Sequence, residues 1–498
     1  MTDTIDALIR RRAADDGAKA AVIDPAARLT YAQLDLSTRE LAAGLVATGV
    51  SKGTRVGLVM PNGVEWVLIA TALSRIGAVL VPLSTLLQPP ELAAQLRMAS
   101  VQFLIAVEEF RGHRYLGDVA SWRSKLPALQ EVWRADAFTP AADTAVVDAL
   151  AATVTPSDTL AIMFTSGSCG PPKGVIHSHG NALGAVRSGL RARCVDADTR
   201  LYLPMPFFWV GGFGSGILSA LLAGATLVTE PAPRPEATLR LLERERVTLF
   251  RGWPDQAEAL ARVSTSAGAD LSTLRPGSLD ALLPDDVRPA PGARAKLFGM
   301  TESFGPYCGF PADTDMPRQA WGSCGQPFDG MEVRIVDLDG GARVASGTIG
   351  EIQIRGPHVM RGICRRSRED VFTPDGYYPT GDLGHLDDDG FLFYHGRSDD
   401  MFKVSGATVY PSEVEQALRS IHGVRAAFVT DVDGSVGAVV IADRPIDELR
   451  DEARKRLSAF KVPTVWAAAG SDDDIPRKAT GKVDVPRLRE MLDAARRM

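Results

Sequence analysis

Through its first two-thirds the chain alternates apolar, β-rich runs with amphipathic helical stretches, and this alternation restricts the fold more than any other feature. Arg55 to Met60, Ala78 to Pro82 and Val101 to Val107 predict strands, and Val64 to Ile76 and Pro90 to Met98 predict the helices between them. Strands joined through single helices and short loops pair in parallel and carry the helices on their faces. A second such series from Leu160 through Leu249 predicts a second sheet layer. From about Met316 to His395 the spacing tightens to short strands with Gly and Asp turns: Glu332 to Asp337, Glu351 to Arg355 and Phe391 to Tyr394. That pattern predicts a small β subdomain. After about Asp400 the order becomes strand, helix (Pro411 to Ser420), strands (Ala426 to Thr430 and Gly437 to Ile441) and helix (Ile446 to Phe460), a compact α+β module.

With 498 residues the chain exceeds the roughly 250 to 300 residues at which a single core stops growing, so two or more domains are expected. The net charge of −6 comes without a basic block, which excludes the electrostatic footprint of a nucleic-acid binder. Five cysteines, odd in number and without CxxC spacing, give neither a metal site nor a redox pair and fit a reducing cytoplasm. Met1 to Asp15 lacks the apolar core of a signal peptide. Leu201 to Thr229 carries no charged side chain and is long enough to cross a bilayer. Its prolines and glycines instead predict a loop, a helix at about 213 to 223 and a buried strand at about 225 to 228, so no membrane span is expected.

The sharpest chemical signal is Phe164-Thr-Ser-Gly-Ser-Cys-Gly-Pro-Pro-Lys-Gly-Val175, directly after the predicted strand Leu160 to Phe164. Gly167, Gly170 and Gly174 let the backbone turn tightly and aim N–H groups at anionic oxygens; Thr165, Ser166 and Ser168 add hydroxyls and Lys173 a mobile cation. Such a loop suits a polyphosphate. It is not a Walker A loop, because Pro172 stands where that motif requires its last glycine.

This string resembles the phosphate-binding signature of the adenylate-forming superfamily, which includes acyl-CoA synthetases, aryl-CoA ligases, luciferases and peptide-synthetase adenylation domains. Further motifs follow in the family's order and span nearly the whole chain, from Leu29-Thr-Tyr-Ala-Gln-Leu34 onward. Leu297-Phe-Gly-Met-Thr-Glu-Ser303 is similar to the family's aromatic-Gly-x-Thr-Glu motif. The resemblance puts Phe298, Gly299 and Thr301 at the nucleotide and makes Glu302 the Mg²⁺ carboxylate. A lone Thr-Glu pair would more often cap a helix. Tyr378-Pro-Thr-Gly-Asp-Leu383 resembles the motif whose aspartate, here Asp382, grips the ribose hydroxyls, and a carboxylate's two acceptor oxygens match a vicinal diol. Gly396-Arg-Ser-Asp-Asp-Met-Phe-Lys-Val-Ser-Gly406 resembles the crossover between domains: Arg397 at ribose or phosphate, Asp399 the hinge, Ser405 and Gly406 lining a pantetheine tunnel. Ile475-Pro-Arg-Lys-Ala-Thr-Gly-Lys-Val483 resembles the catalytic-lysine motif and assigns Lys482 to adenylation.

The resemblance implies an α/β chain with a large N-terminal adenylation domain, residues 1–397, of two stacked, mostly parallel sheets with helices and a small β-barrel subdomain. A small mobile α+β lid domain, residues 398–498, follows. The implied reaction is attack of a carboxylate on MgATP to give acyl-AMP and pyrophosphate, then transfer to the thiol of coenzyme A. Catalytic roles fall to Lys482, Glu302 and Thr165. An acyl pocket drawn from Phe207, Phe208, Trp209, Gly211, Gly299 and Met300 is apolar and aromatic, favouring an aromatic, alicyclic or medium-chain acid. Three features depart from the family pattern: a short Arg275 to Lys296 segment without the usual adenine-holding stretch, Trp209 where histidine is common, and Ile363 where tyrosine is usual. The Trp209 change leaves open an amine or nitrite acceptor, as in amide synthetases and diazotising enzymes. The expected partners are small molecules only, and the sequence is compatible with a homodimer.

Overall fold

The computed structural model describes residues 4–138, 141, 143–165, 172–398, 401–404, 407–477 and 483–497. The chain divides into two compact units, Met1–Glu332 with Ile354–Tyr378, and Val333–Gln353 with Pro379–Met498.

In the first unit the strands form two sheets as expected, but Thr159–Thr165, which opens the second predicted series, joins the first sheet, and Ala20–Ile23 and Arg28–Thr30 complete the second. One has the order Gly362–Ile363, Lys173–Ser178, Thr159–Thr165, Val79–Pro82, Arg55–Val59, Phe103–Ala106, Glu131–Arg134. Pairing is parallel from Thr159–Thr165 to the Glu131 edge and antiparallel among the first three strands. The other runs Leu249–Phe250, Arg200–Tyr202, Thr226–Val228, Ala20–Ile23, Arg28–Thr30, parallel except at its last pair. Helices Tyr31–Ala47, Val64–Arg75 and His179–Ser188 share one apolar cluster with residues of both sheets, such as Leu80, Leu160, Leu201 and Leu227.

Local chemistry sets these helices. Leu29-Thr-Tyr-Ala-Gln-Leu34 is a capping box: Thr30 Oγ1 accepts from Gln33 N–H at 3.2 Å, and Gln33 Oε1 accepts from Thr30 N–H at 2.8 Å. The Tyr31 hydroxyl then donates to Ala225 O at 2.6 Å, tying this helix to the far side of the charge-free segment. That segment is no membrane helix; among the described residues no helix is long and apolar enough to span a bilayer. It forms the strand Arg200–Tyr202, a loop, a π-helical stretch Phe213–Leu218, a short helix Ser219–Ala223 and the strand Thr226–Val228. The expected helix over 213–223 is present, with its first half wound as a π-helix. Wide π turns of this kind recur at functional sites. Trp66 is fully buried and meets Phe207 and Phe213 edge-on at 5.3 and 5.7 Å.

The second unit contains a four-stranded sheet in the order Glu332–Val336, Gly350–Arg355, Tyr378–Leu386, Leu392–Arg397, whose last two strands form a hairpin. Its C-terminal part is a three-stranded sheet of Val424–Val432, Ser435–Ala442 and Val465–Ala468. Alternation divides the sheet's side chains. Val436, Ala438 and Val440 pack with helices Pro411–Arg419 and Ile446–Arg456, while Val439 and Ile441 pack with Leu488 and Leu492 of Val485–Arg497. The helix expected to reach Phe460 stops at Arg456, with a basic last turn of Arg454, Lys455 and Arg456 where the helix dipole favours cations.

Candidate active site

The first unit brings together the two strands that flank the glycine-rich string, the Thr-Glu turn and the aromatic loop. Thr159–Thr165 and Lys173–Ser178 form an antiparallel pair in which Thr165 stands opposite Lys173. Ser166, Gly167, Ser168 and Gly170 lie outside the described residues.

Next to this hairpin the turn carrying Thr301 and Glu302 is held by a buried polar network. The fully buried His177 lies with Nε2 2.9 Å from Thr301 O, and its Nδ1 lies 2.8 Å from Asn181 Nδ2. Nε2–H therefore donates to the carbonyl while Nδ1 accepts from the amide. Asn181 also donates to His358 O at 3.2 Å. Phe304, buried behind the turn, adopts φ 52°, an unusual value for a bulky residue. Its ring meets His177 edge-on at 4.8 Å and Phe213 at 6.0 Å. Strained backbone of this kind persists where its surroundings over-determine it.

Glu302 is buried at 5% exposure. Its Oε1 accepts from the Tyr378 hydroxyl at 3.0 Å, and its backbone carbonyl accepts from Met360 N–H at 2.8 Å. Among the described residues its other oxygen has no protein donor, which leaves one acceptor site for a cation. No group of three or more His, Cys, Asp or Glu forms a metal cage among the described residues. A lone carboxylate fits Mg²⁺, which is bound through one or two carboxylates together with substrate phosphates. Phe298 meets Tyr307 edge-on at 5.6 Å. Gly299 can carry no side chain, because a Cβ there would lie 2.1 Å from Gly305 O.

In the aromatic loop the side chains diverge. Phe207 is fully buried in the core, edge-on to Trp66 at 5.3 Å. Trp209 meets Phe208 at 5.3 Å and Trp253 at 5.7 Å, both edge-on. Trp253 escaped the sequence reading; its signal was an aromatic residue just before Pro254, where a strand-end loop enters the helix Pro254–Ala267. Gly211 packs on Met205, whose Sδ would lie 2.9 Å from a Cβ at that position, and Met300 is half-buried at the start of the Thr-Glu turn.

In the second unit Asp382 and Arg397 are cross-strand partners in the hairpin. Arg397 Nη1 donates to Asp382 Oδ1 at 3.2 Å and to Thr380 O at 3.0 Å. Gly381 has φ 71° and a Cβ there would sit 2.9 Å from Arg397 Nη2, so only glycine lets the guanidinium lie against this turn. Asp399, Ser405, Gly406 and Lys482 lie outside the described residues. The segment containing Lys482 is tied at both ends by an antiparallel bridge between Arg477 and Val483.

The buried imidazoles make a pH prediction. Desolvation lowers the pKa of His177 to about 3 and that of His179 to about 4, from 6.5. Above pH 6.5 neither the folded nor the unfolded state protonates them. Below it only the unfolded state does, so folding stability falls by about 1.4 kcal/mol per pH unit for each histidine. Urea unfolding at pH 7.5 and pH 5.0 should show that loss; an unchanged midpoint would mean that the imidazoles accept protons in the folded state.

Residues 9–364 match the AMP-binding enzyme family. The chain is 33% identical to a 3-[(3aS,4S,7aS)-7a-methyl-1,5-dioxo-octahydro-1H-inden-4-yl]propanoyl:CoA ligase of Mycobacterium tuberculosis, over 93% of this chain and 94% of that protein. It is 30% identical to an indoleacetate–CoA ligase of Aromatoleum aromaticum, over 97% of each. Among solved structures, ATP-bound MatB from Rhodopseudomonas palustris superposes with a TM-score of 0.80 at 25% identity, covering 98% of this chain and 99% of that one.

Proposed function

The chain belongs to the AMP-binding enzyme family, and from that membership we propose that it is an AMP-forming acid–CoA ligase acting on an aromatic, alicyclic or medium-chain carboxylic acid. The observation that carries this reading is the Thr301–Glu302 turn, a buried carboxylate with one oxygen held by Tyr378 and the other available, set beside the Thr165–Lys173 hairpin. The similar bacterial ligases favour the CoA thiol over an amine or nitrite as acceptor.

In this mechanism residues 165–170 and Lys173 hold the polyphosphate through hydroxyls, backbone N–H groups and one cation. Mg²⁺, when bound at Glu302, masks phosphate charge and acts as a Lewis acid on the phosphoryl oxygens. Phe298, Gly299 and Thr301 border the nucleotide, and Gly299 lets its strand lie against the Gly305–Pro306 backbone, with which any side chain would collide. Asp382 accepts from the ribose hydroxyls, held in place by Arg397. The acid's carboxylate attacks the α-phosphate, pyrophosphate leaves, and Lys482 stabilises the charge that accumulates in this step. Residues 1–397 then act as the acid- and ATP-binding domain. Residues 398–498 act as the lid, turning about Asp399 so that Ser405 and Gly406 admit the pantetheine arm. Because no covalent enzyme intermediate forms, catalysis rests on positioning and electrostatics.

The test is AMP and pyrophosphate release across a panel of aromatic, alicyclic and aliphatic acids, with and without CoA, with mass spectrometry of the products. Acyl-CoA formation is expected. AMP formed without any thioester would replace CoA by another nucleophile as the acceptor.

A further inference from the structure

Both carbonyls of the Thr301–Glu302 turn trace back to one buried side chain, Asn181. It closes the capping box of helix His179–Ser188: its Oδ1 accepts from Ser178 N–H at 2.6 Å and from the Ser178 hydroxyl at 3.2 Å. With its acceptor used there, its Nδ2 faces the other way, donating to His177 Nδ1 at 2.8 Å and to His358 O at 3.2 Å. All four hydrogen-bonding positions of the amide are filled, and a half-turn would set its oxygen against two acceptors. The amide therefore has one orientation, and it holds the His177 imidazole in the tautomer with the proton on Nε2.

Two branches lead from this amide to the turn. Through His177 one reaches Thr301 O, which accepts from Nε2–H at 2.9 Å and from Phe304 N–H at 3.0 Å. Through His358 the other reaches the loop whose Met360 N–H donates to Glu302 O at 2.8 Å. The His358 ring lies on Gly184 of the same helix, 3.3 Å from a would-be Cβ, which keeps this branch against the element that carries Asn181. The two carbonyls belong to the peptide planes on either side of the Glu302 Cα, and those planes together set its φ and ψ and so the direction of its side chain. Asn181, His177 and Glu302 are 4%, 0% and 5% exposed, so a lost bond here leaves a buried polar group unpaired. For stability alone an apolar pair of the same shape would serve as well; what hydrogen bonds add is direction.

We propose that Asn181 is a positioning residue for adenylation, aiming the Glu302 carboxylate at the metal through His177 and His358. This rests on the acid-ligase reading, with Glu302 as the Mg²⁺ carboxylate. Side chains that orient a metal ligand from behind change metal affinity or activity by about 10- to 100-fold when replaced.

The experiment measures ATP binding by calorimetry, once with Mg²⁺ and once with EDTA, together with the melting temperature, in three variants. Asn181→Asp keeps the oxygen that caps the helix and replaces the donor by an acceptor. His177→Gln keeps an N–H at the place of Nε2, whereas His177→Asn replaces only the nearer ring nitrogen and falls short of Thr301. Asn181→Asp and His177→Asn should weaken MgATP by about 10- to 100-fold and metal-free ATP by less than about threefold. His177→Gln should stay within about threefold of wild type for both, although its melting temperature falls as that of His177→Asn does. Either disabling variant suffices for the comparison if the other does not fold. With the acid of highest turnover in the panel above, ATP–pyrophosphate exchange should fall in the same order, while acyl transfer from synthetic acyl-AMP to CoA stays near wild type. Equal losses with and without Mg²⁺, or equal losses for the Gln and Asn variants of His177, make the network purely structural and overturn the proposal. Pyrophosphate release from no acid of the panel removes the ligase reading itself, and the calorimetric comparison, which needs no acid, reports on Asn181 separately.

Discussion

Lys482→Ala is expected to slow adenylation by about 100- to 1000-fold, the effect of removing one donor from a developing oxyanion. ATP–pyrophosphate exchange reads this step alone. Acyl transfer from synthetic acyl-AMP to CoA should stay within a few-fold of wild type, because the lysine serves the first half-reaction only. The described residues on either side carry their own anchors: Ile475 is buried, Arg477 and Val483 form a bridge, and Arg477 is paired with Asp472 at 2.8 Å. Lys478→Ala serves as the control, since it lies in the same segment but outside the Thr-Gly-Lys string, and should change neither half-reaction appreciably. Equal losses in both half-reactions for Lys482→Ala would contradict its assignment to adenylation.

What was legible in the sequence was what depends on neighbours in the chain. Alternation of apolar runs with amphipathic stretches foretold both mostly parallel sheets, and the Thr30–Gln33 capping box lies inside a string read first as a motif. The strand Thr159–Thr165 was read in the sequence, but the returning strand Lys173–Ser178, which sets Lys173 opposite Thr165, was not. What was not legible depends on residues far apart along the chain. Nothing local marks His177 as the support of Thr301, and that bond exists only because Lys173–Ser178 lies next to the turn. Phe207 and Trp209 are two residues apart in one aromatic run, yet one faces Trp66 in the core and the other meets Trp253; periodicity could not assign the faces because the loop is neither helix nor strand. The π-helical turn at Phe213–Leu218 escaped for a similar reason, since its sequence differs little from that of an α-helix and the wider turn is set by packing.

Glu302→Gln should lower kcat/KM for ATP by roughly 100- to 1000-fold, corresponding to several kcal/mol of metal-borne charge stabilisation. It should also move the Mg²⁺ requirement to higher concentration. Glutamine keeps the shape, and its Oε1 can still accept from the Tyr378 hydroxyl, which lies 3.0 Å from Glu302 Oε1. The backbone anchors of the turn, Met360 N–H on Glu302 O and His177 on Thr301 O, are untouched. What changes is the open position: an amide that donates replaces a carboxylate oxygen that accepts, and a cation no longer finds charge there. Tyr378→Phe separates this effect from loss of positioning, because it frees the carboxylate while keeping its charge. Its cost should be about tenfold, the scale of one hydrogen bond to a charged group, with the Mg²⁺ dependence unaltered. If Glu302→Gln retained wild-type Mg²⁺ dependence, the carboxylate would be holding the turn rather than the metal, and Tyr378→Phe would then match it in size.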